Sequence, residues 1–267
     1  MAERENTGAK IQSGNGGLSV RSGLSGNELK VIAIIAMAAD HLAWTLWPGY
    51  ANKEWWLIAL HLFGRLAAPT MWFMIAEGYT HTSNLKKYLQ RLFVFAGLSH
   101  FAYNFCFGIS FVPFRHSFLN QTSVIWALFC AALALYINDD QRRAFPLQSW
   151  QKTALLLVLC LLAFPSDWSC FPVLCTLHIY NNRGNLTKQV VGMTAYISMY
   201  VIVWCLCIDV VYGLVQFGII LIWPLMARYN GTRGTWKGMK WFFYFFYVGH
   251  LVLFGLLRLW LNGNVVT

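Results

Sequence analysis

The chain has 267 residues, 58% of them hydrophobic, 17% aromatic and only 11% charged, with a mean hydropathy of +0.50. Soluble domains carry ~25% charged residues, so the composition excludes an ordinary soluble fold and reads as an all-α, polytopic integral membrane helical bundle. The net charge of +10 does not point to nucleic acid, because the basic residues lie in short loops between apolar runs, the pattern that sets membrane orientation, and no nucleic-acid motif accompanies them.

Residues 1–28 are rich in Gly, Ser and Asn and lack apolar periodicity, which predicts a disordered tail ahead of a single transmembrane domain, 29–267. A spanning helix needs ~20 apolar residues. About nine are expected, at 29–47, 55–76, 92–112, 117–137, 150–164, 168–180, 189–207, 209–227 and 241–261. The fifth and sixth are short, and Pro165 and Pro172 flank the break between them; a re-entrant hairpin is the alternative for this pair. A break at Cys207–Asp209 is expected because the stretch around it is too long for one span. With the tail cytoplasmic, sixteen of the twenty Lys and Arg fall on the inner side and two on the outer, so the N-terminus is expected inside. Trp44, Trp47, Trp55, Trp56, Trp168 and Trp260 then fall at the outer interface, and Trp150 and Trp241 at the inner one. Asp139 and Asp140 fall in an inner loop beside Arg142 and Arg143 and read as a solvated charge cluster. The seven cysteines show no CxxC spacing, which supports neither a disulfide framework nor a zinc site. No metal site is expected.

Titratable residues interrupt these runs. Asp40 and His41 lie in the first, His61 and Arg65 in the second, His100 and Asn104 in the third and His250 in the last. With a rise of 1.5 Å per residue, Asp40, His41, Arg65 and His250 all fall about 14–18 Å from a membrane surface, near the middle of a ~30 Å core. An ionised group there costs at least ~2.5–3.5 kcal/mol, and such groups face the bundle interior or a wet cavity. A single buried ion pair or a hydrogen-bonded His would be structural. Convergence of Asp, Arg and His from several helices at one depth reads instead as a reaction centre or a proton relay. His61 with Arg65, and His100 with Asn104, are spaced i, i+4 and share a face. Arg258, near the outer end of the last helix, is expected to snorkel. The aromatic run Phe242–Tyr247 reads as packing and lipid contact.

Three stretches carry a resemblance: Leu29–His41 (LKVIAIIAMAADH), Gly64–Leu92 (GRLAAPTMWFMIAEGYTHTSNLKKYLQRL) and Phe242–Leu257 (FFYFFYVGHLVLFGLL). Together they resemble the TraX-like family, named for the acetylase of the N-terminus of F-type conjugative pilin, with distant kinship to membrane acyltransferases that modify sugars. The resemblance implies a multi-pass enzyme of the bacterial inner membrane. It would be an acyltransferase moving acetyl from acetyl-CoA to the N-terminus of a pilin subunit, its partner in the lipid bilayer, with no metal. Carried over by motif, the matching positions are Asp40, His41, Gly64, Arg65, Glu77, Tyr79 and His250.

In the mechanism this suggests, His41 is a general base, and Asp40 orients it or pairs with Arg65. Arg65 polarises the thioester carbonyl or holds a CoA group, and His250 is a second acid/base or an acyl carrier. Lys86, Lys87 and Arg91, directly after the second helix, are candidates for the CoA phosphates, although positive-inside topology alone accounts for a basic loop. His61, Glu77, Tyr79, His100 and Asn104 are candidate substrate or support residues. The competing readings are an acyltransferase acting on a lipid-linked sugar, a secondary transporter or permease, for which midplane charges are equally apt, and a non-catalytic assembly factor.

Overall fold

The computed structural model describes residues 23–115 and 120–262. Positions 1–22 of the expected tail and 117–119 of the expected fourth helix lie outside them. The described helices are α1 (Gly26–Leu46), α2 (Trp55–Gly64), α3 (Ala67–His81), α4 (Leu85–Phe107), α5 (Val124–Asn138) and α6 (Ser149–Ala163). They continue with α7 (Phe171–Asn181), α8 (Leu186–Cys207), α9 (Val210–Val215), a 3₁₀ segment (Gln216–Ile222), α10 (Trp223–Ala227) and α11 (Met239–Asn262). Two isolated bridges, Leu24 with Tyr229 and Thr122 with Ser166, are the extended pairings among these residues. Five stretches are long and apolar enough to cross a membrane: Gly26–Leu46, Trp55–His81, Leu186–Cys207, Val210–Ala227 and Met239–Leu261. The described residues are thus helical throughout their regular elements, with the long apolar helices of a membrane protein.

The first helix starts earlier than its apolar run. Ser25 accepts from the Glu28 backbone while the Glu28 carboxylate returns to the Ser25 backbone, a reciprocal cap that satisfies two orphan donors. Residues 26–28 therefore belong to α1 and not to the tail. Asn84 and Asn185 cap α4 and α8 by accepting from Lys87 and Lys188, so α4 begins at Leu85, one turn and more before the apolar run. It ends at Phe107, with Gly108 left-handed. Asp209 caps α9, and the expected break between two helices falls there.

The second expected span is divided. Pro69 has no N–H to offer the carbonyl of Arg65, and its ring crowds that carbonyl. The helix accordingly breaks at Arg65 and Leu66 before resuming as α3. Counting α2 with α3, and α9 with the 3₁₀ segment and α10, as broken rods, the described helices follow one another as nine rods.

Inter-loop bonds assign the two ends of the bundle. Gly26 bonds Thr232, the Tyr79 and Tyr180 hydroxyls donate to Asp139, and Asn138 donates to Asn181; this is the tail end. Tyr212 donates to Asn52, Lys53 pairs with Asp209, and Gln121 bonds Pro165; this is the opposite end. Asp139 is thus a fastening point between rods. Of the solvated cluster expected of both, only the Asp140 carboxylate is exposed, and the Arg143 side chain that pairs with it alongside Lys152 is buried.

Exposed apolar side chains, suited to lipid contact, lie on the outer faces of α6, α8 and α11, among them Leu161, Leu206, Phe245 and Trp260. Trp44 and Trp168 depart from the expected interfacial belt. They face inward, Trp44 packing on His61 and Trp168 under Arg65, because the polar cluster between the helices offers their rings a cation and an imidazole. Arg258 does not snorkel: it donates to the Phe105 and Cys106 carbonyls, which the end of α4 leaves without helical partners.

Candidate functional site

Asp40 reaches Arg65 because α1 and α2 come unusually close. A Cβ on Gly64 would lie 2.7 Å from Asp40 Cγ, so only glycine fits beside that carboxylate. Arg65 sits at the break created by Pro69, where its side chain leaves the helix axis toward the bundle interior. Its Nη2 donates to Asp40 Oδ2 at 2.6 Å, its Nε to the His61 carbonyl at 3.1 Å and its Nη1 to Gln216 Oε1 at 2.9 Å. The guanidinium carbon stands 5.3 Å from the Trp168 ring centroid, a cation–π distance. His61 Nδ1 is 2.8 Å from Asp40 Oδ1. Its Nε2 is buried without a hydrogen-bond partner, which suits a neutral ring donating from Nδ1. Both carboxylate oxygens of Asp40 are therefore engaged, one by a guanidinium and one by an imidazole.

The second pair is His41 and His250. His250 Nδ1 lies 2.8 Å from the Phe246 carbonyl. A carbonyl only accepts, so Nδ1 carries the proton and Nε2 of the neutral ring is an acceptor. His41 Nδ1, 2.9 Å from that Nε2, must then be the donor. The proton of His41 is thereby fixed on Nδ1 and its Nε2 holds a lone pair, with no hydrogen-bond partner among the described residues. The tautomer follows from the backbone geometry of α11, two steps away.

Asp40, His41, His61, Arg65 and His250 are all buried. Asp40, His41 and Arg65 line one cavity of about 230 Å³, together with Trp44, Tyr50, Asp167, Trp168, Tyr200 and Trp204. Of the two orienting roles open for Asp40, the structure selects pairing with Arg65; the group that orients His41 is His250.

A second cavity, of about 580 Å³, opens toward the tail end. Lys30, Lys87, Arg91, Arg233 and Lys240 line it against one carboxylate, Glu77, which accepts from Tyr229 and faces His81. Arg91 Nε is buried there without a hydrogen-bond partner. Met71, Ile125, Leu128 and Phe243 line both cavities, so the two share an apolar wall. Lys86 does not line either one.

Other residues singled out by sequence lie apart. His100 Nε2 bonds the Phe111 carbonyl at 3.0 Å and Asn104 donates to the Ser110 carbonyl, so this pair holds the loop after α4. Tyr79 fastens α3 to Asp139 and lies under Arg142. Among the residues the sequence reading missed, Gln216 is a single amide inside the apolar stretch 210–227 and was findable on that ground. Asp167 is a single acid between two prolines, and Lys30, Arg233 and Lys240 are, by sequence, part of the basic residues expected on the inner side. Gly218 is the least legible: a Cβ there would lie 3.0 Å from the Arg65 side chain. Among the described residues no group of three His, Cys, Asp or Glu side chains could hold a metal ion.

The comparisons with known proteins agree with the motif resemblance. No solved structure matches the chain. It is 30% identical over 235 residues, 85% of its length and 92% of the relative's, to a protein of Dichelobacter nodosus described as "Probable fimbrial assembly protein FimC, serogroup H1". The family profile described as "TraX protein" matches residues 25–258, a span that holds every residue of both cavities, and the chain belongs to the TraX family.

Proposed function

We propose that this protein is an acyltransferase of the bacterial inner membrane that moves acetyl from acetyl-CoA to the amino terminus of a pilin subunit. The observation that carries the reading is the buried imidazole of His41, whose unprotonated Nε2 is set by His250 at the wall of a cavity that also holds the Asp40–Arg65 pair. The fimbrial assembly role in the relative's name and the family's association with pilin support a pilin acceptor. A non-catalytic assembly factor has no use for such a cluster, because buried ionic groups are expensive to hold in a membrane.

The chemistry needs a base, an electrophilic group and a seat for the donor. The amine nitrogen attacks the thioester carbonyl carbon; the N–C bond forms and the C–S bond breaks. His41 Nε2 takes the proton released by the nitrogen and returns one to the departing thiolate, so the ring is regenerated. General base catalysis of this kind contributes ~10²–10⁴-fold. His250 accepts from His41 throughout and steadies the imidazolium; with both its nitrogens occupied it serves as a positioning partner and not as an acyl carrier. Arg65 is held by Asp40 and Gln216 with N–H groups to spare, a donor array suited to a carbonyl oxygen gaining charge. Five cations against one carboxylate in the tail-end cavity, with a buried Arg91 nitrogen lacking a partner, fit a polyphosphate, and the donor would sit there with its thioester toward the shared wall.

The test is intact-mass analysis of pilin from membranes of cells with and without this gene, and with His41→Ala. Wild type should add one acetyl group to the pilin and His41→Ala should not, at equal membrane abundance. Unchanged acetylation by His41→Ala would overturn the assignment.

A further inference from the structure

The acyl acceptor needs a seat of its own, and one end of the catalytic cavity is built differently from the other. Asp167 lies in the loop between α6 and α7, at the end of the bundle opposite the basic cavity. Its backbone is anchored, the amide donating to the Thr122 carbonyl at 2.9 Å. The two residues after it, Trp168 and Ser169, are both left-handed, with φ of 67° and 53°. Bulky residues adopt that conformation at a cost and persist there when the surroundings dictate it, often at functional sites. Here the strained turn puts Trp168 beneath Arg65 and turns Asp167 to the cavity wall.

The Asp167 carboxylate makes no ion pair among the described residues. Beside it stands an aromatic enclosure. Trp168 stacks on Tyr200 at 5.5 Å, Tyr200 meets Trp204 at 5.8 Å, Trp204 meets Tyr50 at 5.7 Å, and Tyr50 meets Trp44 at 5.5 Å between ring centroids. All five rings line the same cavity as Asp167. Aromatic faces joined to a carboxylate are the chemistry that recognises an ammonium ion. The charge balance points the same way. The cavity holds two carboxylates, Asp40 and Asp167, and one guanidinium, Arg65; with His41 neutral it is one positive charge short. Arg65 has its bonds to Asp40, Gln216 and the His61 carbonyl, and no hydrogen bond to Asp167.

We infer that Asp167 and the aromatic enclosure of Trp44, Tyr50, Trp168, Tyr200 and Trp204 form a binding site for a primary ammonium group, entered from the end opposite the basic cavity. In the acetyl-transfer reading, on which the assignment of this ammonium as the acceptor rests, the cation docks on Asp167, passes one proton to that carboxylate, which releases it to solvent, and attacks as the free amine, its second proton going to His41 and on to the departing thiolate. The site also selects between acceptors: an alcohol on a sugar brings no charge to complete the cavity, whereas a peptide amino terminus does.

The experiment uses the full-length protein in lipid nanodiscs and two radiolabelled probes, a hydrophobic tripeptide amide with a free α-amino group and its N-acetylated form. Equilibrium dialysis reads binding without acetyl-CoA, and product formation with acetyl-CoA reads transfer. Wild type should bind the free-amine peptide at least tenfold more tightly than the acetylated one. Asp167→Asn should abolish that preference, Asp167→Glu should restore part of it, and the affinity for acetyl-CoA should be unchanged in both. A preference that survives Asp167→Asn overturns the ammonium site even if transfer is seen. A preference lost in Asp167→Asn with no transfer by wild type keeps the site and removes the acetyltransferase reading. If Asp167→Asn fails to fold, Tyr200→Leu replaces it, with the same loss of preference expected and a retained preference overturning the site.

Discussion

His41 Nδ1 lies 2.9 Å from His250 Nε2, and His250 Nδ1 lies 2.8 Å from the Phe246 carbonyl. One backbone acceptor on α11 therefore sets the protonation pattern of a side chain on α1. His41→Ala should lower acetyl transfer by ~10²–10⁴-fold, the usual contribution of a general base. His250→Phe keeps a ring in the space and removes only the acceptor, so the loss should be smaller, about fivefold for a hydrogen bond worth ~1 kcal/mol. Steady-state rates with purified protein check the order. Equal losses in the two variants would mean that His250 acts on the reacting atoms itself.

The Asp40–Arg65 pair separates stability from chemistry. Asp40→Leu strands a buried guanidinium, and breaking such a pair costs ~3–5 kcal/mol; membrane yield and thermal unfolding temperature should both fall. Asp40→Leu with Arg65→Met should recover much of that stability, since an apolar replacement of a buried pair is often neutral. It should recover no activity. Fluorescence-detected size-exclusion after heating gives the first readout and acetyl transfer the second.

Gly64 tests the close approach of α1 and α2. A methyl group there would sit 2.7 Å from Asp40 Cγ, so Gly64→Ala must push the carboxylate away from Arg65 or the helices apart. Overpacking of this kind costs ~1–3 kcal/mol. Gly97, whose Cβ would meet nothing within 4 Å, is the control: Gly97→Ala should leave unfolding temperature and activity unchanged or slightly raise the former.

The tail-end cavity predicts unequal roles for adjacent lysines. Lys87→Gln and Arg91→Gln should raise the KM for acetyl-CoA about tenfold or more, as loss of a charge-assisted hydrogen bond worth ~1.5–3 kcal/mol implies, with kcat less affected. Lys86→Gln, outside the cavity, should leave KM unchanged. Equal effects at 86 and 87 would reduce the cluster to a topology signal.

Much of this was legible from composition and pattern. The cost of ionised groups in an apolar run singled out Asp40, His41, Arg65 and His250, and the helical rise put them at one depth. The same reasoning also collected His100 and Asn104, which share that depth but point from α4 to the irregular loop after it, whose carbonyls they satisfy. Depth is one coordinate; it says nothing about which way around the helix a side chain points. The helix limits shifted at α1 and α4 because caps at Ser25 and Asn84 extend helices beyond their apolar stretches.

The sequence by itself determined that this is a helical membrane protein, which family it belongs to and which titratable residues carry its cost. Only the tertiary structure decided who pairs with whom: Asp40 with Arg65 and His61, His41 with His250, Gln216 behind Arg65, and Asp167 at the cavity wall. The reason is physical. Burial in lipid is a property of a segment and can be summed along the chain, whereas a hydrogen bond at 2.6–2.9 Å depends on rotations of separate helices, and those are set by close approaches at Gly64 and Gly218 and by the break at Pro69.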